Sequence, residues 1–186
     1  MSTSRWSRAE LESFAGRTIE DLLPDPLRLL FVGINPGLVS AATGLHFARA
    51  GNRFYPALRA AGIIDSLTAD EARSELEAAG VGITNLVPRA SARADELDDE
   101  ELRAGRERLE QLVAERRPAV VAVAGITSYR TAFGERRATP GRQPHDLAGA
   151  ALWVVPNPSG LNAHETVASL AEAYAEPARV AGLLTD

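Results

Sequence analysis

Apolar residues fall along this chain in two rhythms. Short unbroken runs occur at Leu29-Leu30-Phe31-Val32, 119–124 and Leu152-Trp153-Val154-Val155, and a run interrupted by Thr84 and Asn85 at 81–87, each stopped by glycine or proline. A run that is apolar at consecutive positions is a strand covered on both faces, the environment of a parallel sheet. Between the runs the rhythm changes. Leu102, Leu109, Leu112 and Val113 recur at helical spacing within 98–116. Leu170 and Tyr174 repeat that spacing in a closing helix, and Tyr129 and Phe133 mark a short one.

Helix ends are signposted too. Ser7-Arg8-Ala9-Glu10 and Thr68-Ala69-Asp70-Glu71 are capping boxes, closed near Gly16 and Gly80. Asn52 caps a further helix through 53–61, ended by Gly62. The stretches 40–44, 89–95 and 134–146 read as loops. Strands alternating with helices predict an α/β protein, a three-layer α/β/α sandwich with a mainly parallel central sheet of about four strands. There is no repeat and no dividing linker, so residues 1–186 form one domain.

Composition narrows the chemistry. The chain has no cysteine, which excludes disulfides, thiolate nucleophiles, iron–sulfur clusters and thiolate zinc sites. His46, His145 and His164 are widely spaced and form no metal pattern, so neither metal nor organic cofactor is expected. All 20 basic residues are arginine, leaving no side-chain amine for Schiff-base chemistry. The net charge of −5 argues mildly against a nucleic-acid binder, but local distribution outweighs the sum. No apolar run reaches membrane-span length and the N-terminus lacks a signal-peptide pattern, so a soluble cytoplasmic protein is expected.

Two strands end in related turns, Gly33-Ile34-Asn35-Pro36-Gly37 and Pro156-Asn157-Pro158-Ser159-Gly160. Proline biases Asn35 to an extended backbone, and Gly37 allows the chain to turn. If the two strands lie close together in one parallel sheet, both turns open on the same edge, where ligands gather. A constrained neutral amide at such a place can hold a water or a base edge. No P-loop, Gly-x-Gly-x-x-Gly or nucleophile elbow is present, so phosphate-cradle and hydrolase-triad chemistries fall away.

With Thr43-Gly44-x-x-Phe47-Ala48, Asn52-Arg53-Phe54 and Asn157-Pro158-Ser159-Gly160-Leu161, these turns resemble the mismatch-specific uracil-DNA glycosylases. Those are the thymine-DNA glycosylase-like members of the uracil-DNA glycosylase superfamily. The resemblance runs from about Leu29 to Tyr174 and leaves residues 1–25, an N-terminal helical extension, outside it. It implies flipping of a uracil out of DNA and hydrolysis of its N-glycosidic bond. Asn35 matches the water-positioning asparagine and Phe47 the aromatic on which the flipped base stacks. Gly33, Ile34, Pro36 and Gly37 would shape the pyrimidine pocket, with backbone contacts from Ile34 and Phe47, and Ser40 and Thr43 would wall it. Asn157 and Ser159 would support the DNA backbone or the second turn, with Pro158 on the DNA side and Gly160 and Leu161 as the wedge.

The chain departs from the familiar pattern at three places. Asn162 and Ala163 stand where better-known members carry serine and arginine, so Asn162 or His164 would have to meet the orphan guanine. Asn85 occupies a lysine position of a familiar relative. Asp95, in the loop after the second strand, is a carboxylate that could act as a base more strongly than an amide. The expected partner is double-stranded DNA bearing uracil or a mismatched pyrimidine, bound by a monomer. Arg49, Arg53, Arg89, Arg93, Arg136, Arg137 and Arg142 are available for phosphates. The alternatives are a nucleoside or nucleotide hydrolase and a non-catalytic binder of damaged DNA.

Overall fold

The computed structural model describes residues 6–185. Five strands form one sheet: β1 (Leu29–Gly33), β2 (Val81–Asn85), β3 (Val120–Ala124), β4 (Gly141–Leu147) and β5 (Ala150–Val155), in the order β2-β1-β3-β5-β4. β1 pairs in parallel with β2 and β3, and β3 with β5. The four apolar runs are therefore the four parallel strands.

The fifth strand corrects the expectation of four. β4 lies in the stretch expected to be a loop and pairs antiparallel with β5 at the sheet edge. As an edge strand with a mostly exposed, polar sequence, Gly-Arg-Gln-Pro-His-Asp-Leu, it carries no apolar run, and Pro144 is tolerated because one side has no partner. A second correction is the loop after Gly37, which contains a one-and-a-half-turn helix, α2 (Leu38–Thr43).

The remaining helices are α1 (Arg8–Glu12), α3 (Phe54–Ala60), α4 (Ala69–Ala79), α5 (Asp99–Arg116), α6 (Ile126–Phe133) and α7 (Val167–Val180). Successive residues of a strand face opposite sides, and β1 divides its side chains accordingly. Leu29 and Phe31 join Phe54, Leu58, Leu76 and Tyr174 in the core beneath α3, α4 and α7. Leu30 and Val32 join Leu109, Val113 and Tyr129 beneath α5 and α6. Gly105, inside α5, lets that helix approach the end of β2, since a Cβ there would collide with the Leu86 carbonyl. No helix among the described residues is long and apolar enough to cross a membrane.

The chain before β1 runs along the sheet as a strap. Leu22 and Ile83 exchange backbone hydrogen bonds of 2.9 and 2.8 Å, covering the free edge of β2. Higher up, Ala90 N–H donates to the Arg17 carbonyl and Gly16 N–H to the Ala90 carbonyl, both at 2.8 Å. The extension thus holds the loop that follows β2. All four parallel strands end at one edge, and there the loops after β1, β2 and β5 meet.

Candidate active site

A cavity of about 410 Å³ opens at that edge, within the usual span of small-molecule pockets, about 300–1,000 Å³. It brings together both halves of the sequence pattern. Gly33, Ile34, Asn35, Pro36 and Gly37 line one side, and Asn157, Ser159 and Leu161 another. Ser40, Phe47, Asn85 and Asp95 share the same lining.

Asn35 is fixed by its nitrogen. Nδ2 donates to the Arg89 carbonyl at 3.0 Å and to Ser91 Oγ at 2.8 Å. A backbone carbonyl can only accept, so the amide orientation is determined and both Nδ2 hydrogens are used. Oδ1 is the group left for a ligand. Ser91, only 3% exposed, passes its own hydroxyl proton to the Arg93 carbonyl at 2.7 Å. Ser91 N–H in turn donates to the Pro36 carbonyl, so the two loops are stitched on both sides of the asparagine.

Phe47 sits in the left-handed region, with φ of 53°, an uncommon conformation for a bulky residue. Its neighbours enforce it: Tyr55 Oη donates to the His46 carbonyl at 2.8 Å, and Ala48 N–H donates to Ser40 Oγ at 3.3 Å. The ring stacks on Phe54, with centroids 4.1 Å apart and planes at 24°. Gly33 is required beneath it. A Cβ at Gly33 would meet Asn85 Oδ1 at 2.5 Å and Phe47 Cζ at 3.3 Å.

His46 and Asn85 settle each other's state. His46 Nε2 faces the Glu20 carbonyl at 3.0 Å and must donate to it. Burial pushes the imidazole down to about 4, so the ring is neutral and Nδ1 accepts. Asn85 Nδ2, 3.5 Å from Nδ1, is the donor, which turns its Oδ1 towards Gly33.

The second turn carries an exposed apolar tip. Leu161 is 75% exposed, one of very few large hydrophobic side chains so placed among the described residues. Its N–H donates to Ser159 Oγ at 3.3 Å, and Ser159 N–H to Asn157 Oδ1 at 2.9 Å. Pro158 and Gly160 shape the turn from outside the cavity. Asn162 Nδ2 donates to the Asn157 carbonyl and its Oδ1 accepts from His164 N–H, so this amide is engaged within the loop. His164 is exposed beside it.

Several residues take other places than the sequence suggested. Thr43 lies outside the cavity, its hydroxyl donating to the Val39 carbonyl at 2.9 Å as the end of α2. Arg53 faces inward onto backbone carbonyls rather than outward to phosphate. Arg89 forks onto Glu101 at 2.5 and 2.8 Å, and Arg142 is engaged with Asp146. Arg49 remains exposed on the cavity rim. Asp95 is on the rim as well, 71% exposed and paired with Arg93 at 2.9 Å.

Ile19, His46, Asn52, Ser91 and Ala124 line the cavity without having been singled out for it. Ser91 and His46 act through hydrogen bonds to residues far away in sequence, for which one chain offers no signal. Ile19 comes from the strap, a segment without any motif. Among the described residues no cluster of His, Asp and Glu is arranged to hold a metal ion.

The fold has a counterpart in the solution NMR structure of a "putative Uracil DNA glycosylase" from Methanosarcina acetivorans. That structure is 16% identical with a TM-score of 0.61, over 90% of this chain and 98% of the other. The likeness is one of fold. The sequence profile of the Uracil DNA glycosylase superfamily, whose members are DNA glycosylases, matches residues 20–177, the whole sheet and both converging turns. With that match covering most of its length, the chain belongs to the uracil DNA glycosylase superfamily.

Proposed function

We propose that this protein, as a mismatch-specific, thymine-DNA glycosylase-like enzyme, removes uracil and related pyrimidine lesions from double-stranded DNA, above all opposite guanine. It hydrolyses the N-glycosidic bond and leaves an abasic site. The observation that carries this reading is Asn35, its amide nitrogen saturated by Arg89 and Ser91, in a cavity shared with Phe47 and Leu161.

The chemistry follows from that arrangement. The target base is flipped into the cavity, at a cost of a few kcal/mol that is smaller for a mismatched base. It stacks on Phe47, with Asn85 and the backbone of Ile34 at its edge. The C1′–N1 bond breaks with both electrons leaving on the base, and the sugar passes through an oxocarbenium-like state. Asn35 Oδ1 accepts a hydrogen bond from a water and aims its lone pair at C1′. Donors at the uracil oxygens stabilise the departing anion in the manner of an oxyanion hole. Asp95 shares the rim and is the second candidate for receiving the water's proton. Leu161 fills the vacated stack, an apolar wedge. Arg49 meets phosphate. The protein acts as a monomer in the cytoplasm.

The test is base release under single-turnover conditions from G·U and A·U duplexes, single-stranded uracil DNA and free deoxyuridine. Asn35→Ala should remain folded and lose at least about a hundredfold in rate, the scale of removing one preorganised polar group. Asp95→Asn read in parallel assigns the proton acceptor. Binding of a G·U duplex without release by the wild type would leave a damage-binding protein, and hydrolysis of the free nucleoside alone a nucleoside hydrolase.

A further inference from the structure

Arg53 is engaged at both of its terminal nitrogens, and each partner is a backbone carbonyl, none a carboxylate. Its Nη2 donates to the carbonyls of Ser159 at 2.5 Å and Asn162 at 2.8 Å. Its Nη1 donates to the Glu165 carbonyl, and its backbone N–H to the Pro158 carbonyl at 3.0 Å. Its Nε is buried, with no partner among the described residues. A single residue thus gathers four carbonyls from the loop between β5 and α7. The Ser159 and Asn162 carbonyls flank Gly160-Leu161, so Nη2 closes the base of the tip that carries the exposed leucine.

A neighbouring contact completes the grip. Gly160 packs so closely on Gly51 that a Cβ would lie 2.6 Å from the Gly51 carbonyl oxygen. Gly51 and Arg53 belong to the segment leading into α3, whose Phe54 and Tyr55 are rooted in the core. The loop is therefore bolted to the rigid body of the protein. Convergent carbonyls present partial negative charge, and a planar fork with five donors answers several of them at once. An ammonium is a compact charge whose donors spread from one point and cannot reproduce that fork.

We propose that Arg53 is a positioning residue that preorganises the Leu161 tip for insertion into the base stack, and that it makes no contact with DNA. This rests on the reading of Leu161 as a wedge. A tip held in its inserted geometry beforehand spares binding the ordering of a flexible loop. The effect is confined to substrates in which a base must be displaced.

The experiment compares the wild type with Arg53→Lys and Gly160→Ala, the second loosening the same grip from the loop side without touching the arginine. Single-turnover excision is measured on G·U duplex and on single-stranded uracil DNA, and hydrogen exchange on the amides of 157–165. Both variants should lose about tenfold or more on duplex, the penalty of a misplaced group, while the single-strand rate of Arg53→Lys stays near wild type. Exchange in 157–165 should rise in both. Leu161→Ala added to Arg53→Lys should cost nothing further, since an unplaced wedge contributes nothing. Arg53→Lys with near-wild-type duplex activity and unchanged exchange would overturn the proposal, because a lysine can supply a point charge to a phosphate but not a fork answering several carbonyls. Equal losses on both substrates would overturn it as well, by giving Arg53 a general structural role. If the wild type releases no uracil, the reading of function fails, and exchange in 157–165 still decides whether Arg53 holds the loop.

Discussion

Acidification should destabilise this protein through one histidine. His46 is 8% exposed, and burial pushes it from the ordinary 6.5 down to about 4. The unfolded chain therefore takes up a proton, beginning near 6.5, that the folded protein refuses until about 4. Stability falls as the pH falls through that window and is unaffected by this group above it. The full displacement is worth about 3 kcal/mol, of which about 2 kcal/mol is lost between pH 7 and pH 5. Urea unfolding at half-unit steps from pH 7.5 to 4.5 measures it. The comparison is His46→Gln, which can still donate to the Glu20 carbonyl and accept from Asn85 but does not titrate.

Other groups act in both proteins and cancel in the difference. Burial raises the Asp21 carboxyl, whose cost to the fold is relieved on acidification, the opposite sign. Glu101, held down to about 2 by Arg89, withdraws its stabilisation only as the pH falls below the ordinary glutamate value. The wild type should lose about 2 kcal/mol more than His46→Gln between pH 7 and pH 5. Parallel curves would refute the argument, because a neutral His46 is what fixes the Asn85 amide.

Ser91→Ala should lower excision about tenfold with little change in fold, since it frees one Asn35 hydrogen and lets the amide rotate; single-turnover kinetics measures this. Phe47→Ala should weaken binding of uracil-containing DNA by the stacking contribution, about 1–3 kcal/mol per base, and a folded variant with unchanged affinity would contradict it. Asn162 is committed to the Asn157 carbonyl and the His164 N–H, residue 163 is alanine, and the exposed His164 side chain offers one ring nitrogen where an arginine would present a fork. The G·U over A·U preference should therefore be one to two orders of magnitude below that of an arginine-bearing relative, as rates on the two duplexes report. Borohydride should trap no side-chain adduct with abasic DNA, because the chain contains no lysine.

The parallel core was legible because strands buried on both faces must be apolar at every position, as Leu29–Val32 and Val120–Ala124 are. β4 was not, because an edge strand exposes its outer side and need not be apolar; its Arg-Gln-Pro-His carries turn-like composition into a strand. The two Asn-Pro turns announced where the cavity lies. What the turns could not announce was the state of its groups. Asn35 reads as a free amide until Arg89 and Ser91, more than fifty residues away, consume its nitrogen. Arg53 reads as a surface cation beside Asn52 and Phe54, and only the fold turns it onto the carbonyls of 159, 162 and 165.

The strap has a consequence for how the site opens. Ala90 is hydrogen-bonded on both sides to Gly16 and Arg17, and its two sequence neighbours, Arg89 and Ser91, are the acceptors that hold Asn35. Peeling residues 16–17 from the loop thus releases the Asn35 amide in the same event, although no strap residue hydrogen-bonds that amide. A strap held to a loop by two backbone hydrogen bonds detaches at lower free energy than core strands do. The local opening of the N-terminal segment, read as the exchange rate of the Ala90 amide, is then also the frequency with which the asparagine loses its aim. Two properties measured in separate experiments, amide protection at residue 90 and the fraction of molecules ready to cleave, should rise and fall together.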